Sequence, residues 1–285
     1  MKPLFLVLAA LLTAYPALAQ KEVLRSRWEP GKVYKQENVT NMTATVPDSA
    51  EVQKTAVTQS FEVRVTAEPA TGNKLAALTI TGTKATMDMM GQSLTYDSAD
   101  PAKSPPTLQQ AFGTMLNKSF TLVYDKDDKF VETRGLEKLM ATPLGNTTGM
   151  DGKQLSEAFR KSYEMSLPKD AVAVGDTWTI EDTLEMAPVV MVVKAKGKYD
   201  SVVEIQGRKH ARLVIEGTFG TPANSASPFT LGEGSKFSGE VLFDLERRVI
   251  VANESRTEIN LQVQGQTVPM KQTVLMRLVS LEDAK

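Results

Sequence analysis

The chain has 285 residues, 41% of them hydrophobic, so it is long enough to bury a sizeable core of its own. It contains no cysteine and one histidine, which excludes a disulfide framework and argues against a structural zinc site. The 33 basic and 34 acidic residues give a formal net charge of −1. Without a basic cluster, nucleic acid is disfavoured as a partner.

The first twenty residues, MKPLFLVLAALLTAYPALAQ, have the form of a secretory signal peptide. Lys2 supplies the positive charge, and the apolar stretch that follows is about half as long as a bilayer-spanning helix requires. Ala17 and Ala19 give the small-x-small cleavage pattern. We predict a signal peptide at 1–19, cleavage after Ala19, no transmembrane segment in the mature chain, and a periplasmic or extracellular location.

Alternation of apolar and polar residues predicts a series of strands, because successive side chains on a strand point to opposite faces. The turn residues between them suit an antiparallel meander. In chain order, the predicted strands are 33–46, 54–67, 74–89, 92–97, 119–125, 129–133, 176–184, 189–205, 209–219, 236–245, 248–263 and 267–281.

Helices are predicted at 105–116, at 135–141 and, with the clearest amphipathic stripe, at 151–165. A helix that packs on the sheet is the simple interpretation of that stripe, and a partner-binding helix is the alternative. The segment 143–153 is the predicted hinge of the chain, and 220–235 a long flexible connection.

Three segments of the chain resemble three later segments in the same order, although chance similarity between β-rich segments is an alternative. The matched pairs are 31–34 with 175–178, 72–83 with 207–218, and 120–135 with 239–254. The shared residues are turn glycines, aromatics at strand starts and alternating aliphatics, which are framework residues. We therefore predict strongly curved sheets built from two pseudo-repeated halves. The halves are 20–142, with a helical insertion near 105–116, and 167–285; a linker and amphipathic helix over 143–166 join them.

Few residues suggest chemistry. His210 alternates with Arg212 on a strand and is predicted to face solvent or to be partly packed, with a catalytic role as the alternative. The run DKDD at 125–128 could bind calcium but is better interpreted as a solvated hairpin turn. The sequence SLPK at 166–169 lacks the partner motif of serine acyl-enzymes. No catalytic, cofactor-binding or metal-binding residue is predicted.

Methionines give the unusual stretch TMDMMGQ at 86–92. Met87 and Met89 point to one face of their strand, and Met191 lies in a second methionine-bearing strand region. Thioethers suit copper(I), fill ordinary cores, or line adaptable apolar surfaces. On the last interpretation, Met87, Met89 and Met191 are candidates to line a site for an apolar ligand.

The motifs RWEPGKVYK, LTYDSAD, LVYDKDDKFVETRG, LPKDAVAVGDTW and GEVLFDLERRVIV together resemble an uncharacterised family of secreted bacterial proteins, a domain of unknown function. The resemblance implies an exported β-rich protein and supplies no catalytic residue. A hairpin glycine usual in that family is absent after Asp125 and Asp244. Curved sheets capped by helices are also similar to periplasmic lipoprotein carriers, an analogy of fold alone.

Three classes of function remain. The first is a non-enzymatic binding or carrier protein of the bacterial envelope, whose partner is a lipid, another apolar ligand or a lipidated protein. The second is an envelope scaffold that binds other envelope proteins without a small ligand. The third is a hydrolase, for which the usual motifs are missing.

Overall fold

The computed structural model describes residues 21–45, 51–89, 91–136, 152–186, 189–223, 227 and 229–285. The predicted signal peptide, most of the predicted helix 135–141 and most of the predicted hinge lie outside these residues. The strands in the described residues are β1 Lys32–Thr45, β2 Val52–Ala67, β3 Lys74–Met89, β4 Gln92–Asp97, β5 Ser119–Tyr124, β6 Phe130–Arg134, β7 Thr177–Met186, β8 Val189–Ile205, β9 Arg208–Gly220, β10 Phe229–Leu231, β11 Lys236–Asp244, β12 Val249–Val263 and β13 Gln266–Asp283.

Two helices accompany the strands of the described region. Helix α1, Pro106–Leu108, continues as a wider π-type turn over Gln109–Gly113, and together they occupy part of the predicted helix 105–116. Helix α2, Gly152–Glu164, agrees with the predicted helix 151–165. A separate 3₁₀ turn spans Pro101–Lys103.

The described strands form one antiparallel sheet, so the prediction of a mainly β, antiparallel chain is confirmed, although the sequence suggested more than one sheet. The order across it is β6-β5-β3-β2-β1-β13-β12-β11-β9-β8-β7; in addition, β4 pairs with β3, and β10 with β12. Strand β10 lies in the segment 220–235, which was predicted as a flexible connection. Its three residues are too few to show a period of two, and the pairing with β12 makes them a strand.

Turn chemistry fixes the ends of the strands. Gly31 precedes β1 and Gly175 precedes β7, the first strands of two meanders, β1–β6 and β7–β12. The φ angles of the two glycines are 83° and 94°, a left-handed conformation that disfavours residues with a Cβ atom. Asp125 follows β5 and Asp244 is the last residue of β11, and the carboxylate of each accepts two backbone N–H groups of the following turn at 2.8–3.0 Å. Short carboxylates stabilise hairpins in this way, and the hairpin turn predicted at 125–128 is present.

The strand register sorts side chains onto two faces, because residues paired across an antiparallel ladder lie on the same face. We call the face that bears Tyr34 the inner face and the opposite one the outer face. One buried inner row, formed by direct pairing, consists of Tyr34, Val63, Leu78 and Phe120. A second inner row, on the strands of the other meander, consists of Val241, Leu213 and Tyr199. The packed core therefore lies on the inner face, near one end of the strands.

The N-terminal segment 21–31 crosses the sheet at this packed end. Glu22 pairs with Val172 as an isolated antiparallel bridge, and the N–H of Arg27 donates to the carbonyl of Arg248 at 2.7 Å. Leu24 is buried in one core cluster and Trp28 in the other. The segment thus joins the two clusters across the end of the sheet.

Helix α2 contacts both terminal strands of the sheet. Ser156 Oγ donates to Thr133 Oγ1 on β6 at 2.8 Å. Lys161 Nζ donates to Asp182 Oδ1 on β7 at 2.7 Å and to the Thr183 carbonyl at 2.5 Å. Leu155 packs against the core cluster that contains Tyr34. One short helix therefore touches the first and the last strand of the sheet order.

Candidate ligand-binding face

The inner face of the central strands is free of charge beyond the packed core. On β2, β1, β13 and β12, the register places every charged residue on the outer face, except Lys32 and Asp283 at the strand ends beside the core. The outward-facing charged residues are Lys35, Glu37, Lys54, Glu62, Arg64, Glu254, Arg256, Glu258, Lys271, Arg277 and Glu282. Sorting of charge by face is expected where one face contacts an apolar medium.

We call the charge-free part of the inner face beyond the core the distal inner face. It comprises alternate residues from Asn38 to Ala44 on β1, Gln53 to Gln59 on β2, Thr83 to Met87 on β3, Asn253 to Val263 on β12 and Val268 to Met276 on β13. Its apolar members include Met42, Val57, Ala85, Ile259, Leu261, Met270, Val274 and Met276.

Solvent exposure alternates with side-chain direction on this face. Along β13, Met270, Gln272 and Val274 are half-buried, whereas the outward Lys271 and Thr273 are exposed. Residues 52–57 of β2 alternate in the same way. Over these two stretches, the inner face is the less exposed side of the sheet.

The predicted methionines share this face only in part. Met87 lies on the inner face, half-buried against a small cluster that contains Ala85, Tyr96 and Leu108. Met191 lies on the inner face of β8 and is 9% exposed. Met89 pairs with Gln92, and its side chain lies outside the described residues. Six strands separate β3 from β8, so Met87 and Met191 are not neighbours within the sheet.

Sequence reasoning missed the central inner-face residues, of which Met42, Met270 and Met276 are the methionines on the two strands at the middle of the sheet. A signal was present, since beyond the core the alternate positions of β1, β2, β12 and β13 hold no charge. The signal is spread over four distant segments, and only the register shows that those positions lie side by side.

A band of uncharged polar side chains crosses the distal inner face next to the core. Direct pairing aligns Thr83, Gln59, Asn38, Met276 and Asn253 in one row across five strands. Thr40 and Ser255 lie one step further from the core on either side of Val274. The side-chain oxygen Oδ1 of Asn38 is buried and has no hydrogen-bond partner in the described part of the chain. This row offers both donors and acceptors and no net charge.

Asp182 is an inner-face carboxylate at the edge of the sheet, where Lys161 neutralises it. Burial alone would raise the pKa of Asp182, but the hydrogen bonds from Lys161 and from the N–H of Thr183, with the nearby positive charges, hold this pKa below its usual value. The Lys161 side chain is only 15% exposed, so the ion pair that holds α2 to β7 is largely shielded from solvent.

His210 is buried, which corrects the prediction that it faces solvent or is only partly packed. It lies on the outer face with 3% of its surface exposed, and its Nε2 is 3.7 Å from Asp244 Oδ2. Arg208 Nε is 3.1 Å from the same oxygen. Asp244 is fully buried. Neither its Oδ2 nor Arg208 Nε makes a hydrogen bond of good geometry with a described group, so the contact between Arg208 and Asp244 is an ion pair without a hydrogen bond. This cluster belongs to the hairpin that Asp244 caps.

The DKDD turn directs its carboxylates apart. Asp125 binds backbone N–H groups of its own turn, whereas Asp128 Oδ1 contacts Lys74 Nζ at 2.6 Å and accepts from the N–H of Trp28 at 3.0 Å. The side chains of Asp128 and Lys74 are 12% and 13% exposed, so this part of the predicted solvated turn is largely screened from solvent. Within the described ranges, no three potential metal ligands cluster.

The architecture is that of an antiparallel single-sheet protein with a packed end and a charge-free inner face. Residues 71–238, more than half of the chain, match the model of a family of unknown function (DUF6263). The chain belongs to this family, which confirms the resemblance to a domain of unknown function. No curated protein matches the sequence. None of the helices among the described residues is long and apolar enough to cross a membrane.

Solved structures show similarity in fold. A structure concerned with lipid–protein interactions in lipovitellin aligns with a TM-score of 0.51 at 11% identity, over 91% of this chain and 26% of the lipovitellin chain. This chain therefore corresponds to about a quarter of that one. A provisionally assigned lipoprotein from Parabacteroides distasonis aligns with a TM-score of 0.32 at 11% identity, over 92% of this chain and 100% of that one.

Proposed function

We propose that this protein is a non-enzymatic carrier that holds an apolar ligand, or the lipid part of a lipidated partner, against its distal inner face in the bacterial envelope. The observation behind the proposal is the segregation of charge: four adjacent strands have charged outer faces and no charge on their distal inner face. Apolar side chains that remain half-buried there, such as Val57 and Val274, can still bury surface against a ligand.

Strong curvature of the sheet is part of the proposal. Ten steps of about 4.8 Å separate the two ends of the eleven-strand path, so a flat sheet would place β6 and β7 about 48 Å apart. Ser156 and Lys161 lie only about 7–8 Å apart along α2, yet they contact β6 and β7 respectively. These contacts support a sheet that curls until its terminal strands meet on either side of one helix, with the inner face concave.

The two halves support the same proposal as related units. Strands pair in the order β1-β2-β3-β5-β6 in the first and β7-β8-β9-β11-β12 in the second. Gly31 donates its N–H to β2, and Gly175 donates its N–H to β8. A bulge places one extra residue in β6, Val131, and one in β12, Val251. Two similar meanders placed in succession would extend one curved surface.

Lipovitellin is the neighbour whose similarity bears on this proposal, because its structure concerns lipid–protein interactions and shares the fold at a TM-score above one half. Export is proposed from the N-terminal sequence, with cleavage after Ala19 and a periplasmic or extracellular location. A carrier of this kind needs no reactive group, consistent with a repeat that shares framework residues.

The test is binding of a neutral apolar probe. Protein purified from the periplasm without detergent should carry lipid detectable by native mass spectrometry, and after delipidation it should bind N-phenylnaphthylamine with increased probe fluorescence. Val274→Lys places a charge on the inner face of β13 and should weaken probe binding by at least about tenfold.

The matched control is Thr273→Lys, which adds the same charge one residue away on the outer face and should leave binding unchanged. Thermal melting and circular dichroism check that both variants fold. Protein that is recovered empty and fails to bind the probe would overturn the carrier proposal and leave the scaffold class.

A further inference from the structure

We propose that the ligand of the distal inner face is an uncharged lipid with hydroxyl or ester groups, of the acylglycerol class, whose polar part lies on the part of the band formed by Asn38, Gln59 and Asn253. The inference rests on the proposed carrier function and specifies its ligand. It follows from the chemistry of the band, from the absence of charge around it, and from the apolar strip beyond it.

The band is a continuous surface. Gln59 pairs with Thr83 on one side and with Asn38 on the other, and Met276 separates Asn38 from Asn253. Thr83 is buried at the edge of the band. Neighbouring strands lie about 4.8 Å apart, so Gln59, Asn38 and Asn253 span about 14 Å, wide enough for several polar groups of one ligand. Amide and hydroxyl side chains supply donors for ester carbonyls and acceptors for hydroxyl groups.

Asn38 shows that the band is incomplete in the protein alone. Its Oδ1 is buried without a hydrogen-bond partner among the described residues. A buried polar atom without a partner destabilises a fold, so such atoms are uncommon and call for an explanation. A ligand hydroxyl that donates to Asn38 would satisfy this atom, and a purely hydrocarbon ligand would not.

The charge of the surroundings selects the ligand's polar part. Nearest in sequence to Asn38 are the charged residues Lys35 and Glu37, both on the outer face, and Glu37 is paired there with Arg277. The central strands therefore offer no inner-face cation beside the band to a carboxylate or phosphate. An anion buried there would lose its hydration without a counter-charge, which is strongly unfavourable. A neutral hydroxyl or ester meets no such penalty.

Acyl chains have a path away from the band. From Asn38 to Ala44 the strand rises about 20 Å towards the end remote from the core. Along that path lie Met42 and, on neighbouring strands, Val57 and Val274. A long acyl chain laid along the strands would cover these half-buried residues while its glycerol end stays at the band.

The experiment compares three oleoyl lipids as competitors of N-phenylnaphthylamine at neutral pH: dioleoylglycerol, dioleoyl phosphatidic acid with the same two chains, and oleic acid with one chain. Dioleoylglycerol should compete at least about tenfold more strongly than either anionic lipid. Asn38→Leu should remove about tenfold of the dioleoylglycerol affinity, with the probe affinity of the same variant measured first so that competition is corrected for it. Asn41→Leu, on the exposed outer face of the same strand, is the matched control.

Gln59→Leu provides a second variant should Asn38→Leu fail to fold, and it should likewise lower dioleoylglycerol affinity selectively. Equal or stronger competition by the anionic lipids, or unchanged dioleoylglycerol affinity in the folded variants, would overturn the ligand assignment while leaving the carrier function intact. Failure of the wild-type protein to bind the probe at all would instead overturn the carrier function.

Discussion

Substitution of Gly197 by alanine is predicted to destabilise the protein through a steric clash. It lies on the inner face of β8 directly opposite Trp178 on β7, and the indole ring lies over the glycine. A Cβ atom built on Gly197 would lie 2.2 Å from the Cε2 atom of Trp178, where ordinary contact begins at 3.4 Å. The Gly197→Ala variant must therefore displace the ring or the backbone by 3.4 − 2.2 = 1.2 Å.

The expected loss of stability is about 1–3 kcal/mol, as for other overpacked sites. In a chain of this size the melting temperature falls by about 2–4 °C for each kcal/mol. Gly220→Ala is the matched control, because a Cβ atom there would meet nothing within 4 Å and the substitution has the same effect on the unfolded chain. Urea denaturation of the two variants measures the difference.

Tryptophan fluorescence provides a second, local measurement. The protein has two tryptophans, and Trp28 is buried in the other core cluster, so a change in Gly197→Ala reports on Trp178. We expect red-shifted emission and stronger quenching by acrylamide as the ring leaves its contact with Gly197. Stabilities of the two variants within about 0.5 kcal/mol of each other, with identical emission, would refute the reasoning.

Three further predictions concern charged and buried groups. Lys161→Ala should lower the free energy of unfolding by about 1–2 kcal/mol and speed hydrogen exchange in α2 and β7. Because the pKa of Asp182 is lowered, acidification through that pKa should release α2 from β7 in the wild type. Unchanged hydrogen exchange in either case would contradict the pairing. Burial raises the pKa of Tyr199 to about 12, so the unfolded chain loses this proton at lower pH than the folded protein. The free energy of unfolding should therefore fall by up to about 3 kcal/mol between about pH 10 and 12, and by less in Tyr199→Phe. An identical fall in the two proteins would contradict this. Asp244→Ala should lower the free energy of unfolding, measured by urea denaturation, by about 3–5 kcal/mol, because it leaves Arg208 without its carboxylate partner and the turn without its capping hydrogen bonds. A loss below about 1 kcal/mol would refute this role of Asp244.

Much of the secondary structure could be predicted from the sequence. Alternation over 74–89 and 248–263 predicts strands that the structure contains as β3 and β12, within one or two residues at each end. The helix predicted over 151–165 is present as α2. Such long periodic segments are predictable because their period of two or 3.6 residues arises from local geometry that each strand or helix repeats.

The candidate site was much less predictable. Methionine composition drew attention to Met87 and Met191, yet a charge-free surface is defined by which positions on separate strands lie side by side. Asn38 illustrates the difficulty: in sequence it stands between Glu37 and Val39 and looks like an ordinary exposed strand residue. Its partners Gln59 and Met276 lie far along the chain, and a shift of one residue in register would have reversed the face.

The sequence alone determined the class of fold, the position of the strands and the family, because these depend on local periodicity, turn residues and the order of motifs. The tertiary structure decided which strands are neighbours, that β13 lies between the two meanders, and that α2 contacts both terminal strands. It also decided that His210 is buried beside Asp244. The physical reason is that strand order, register and burial arise from contacts between residues distant in sequence, whose energies no local pattern encodes.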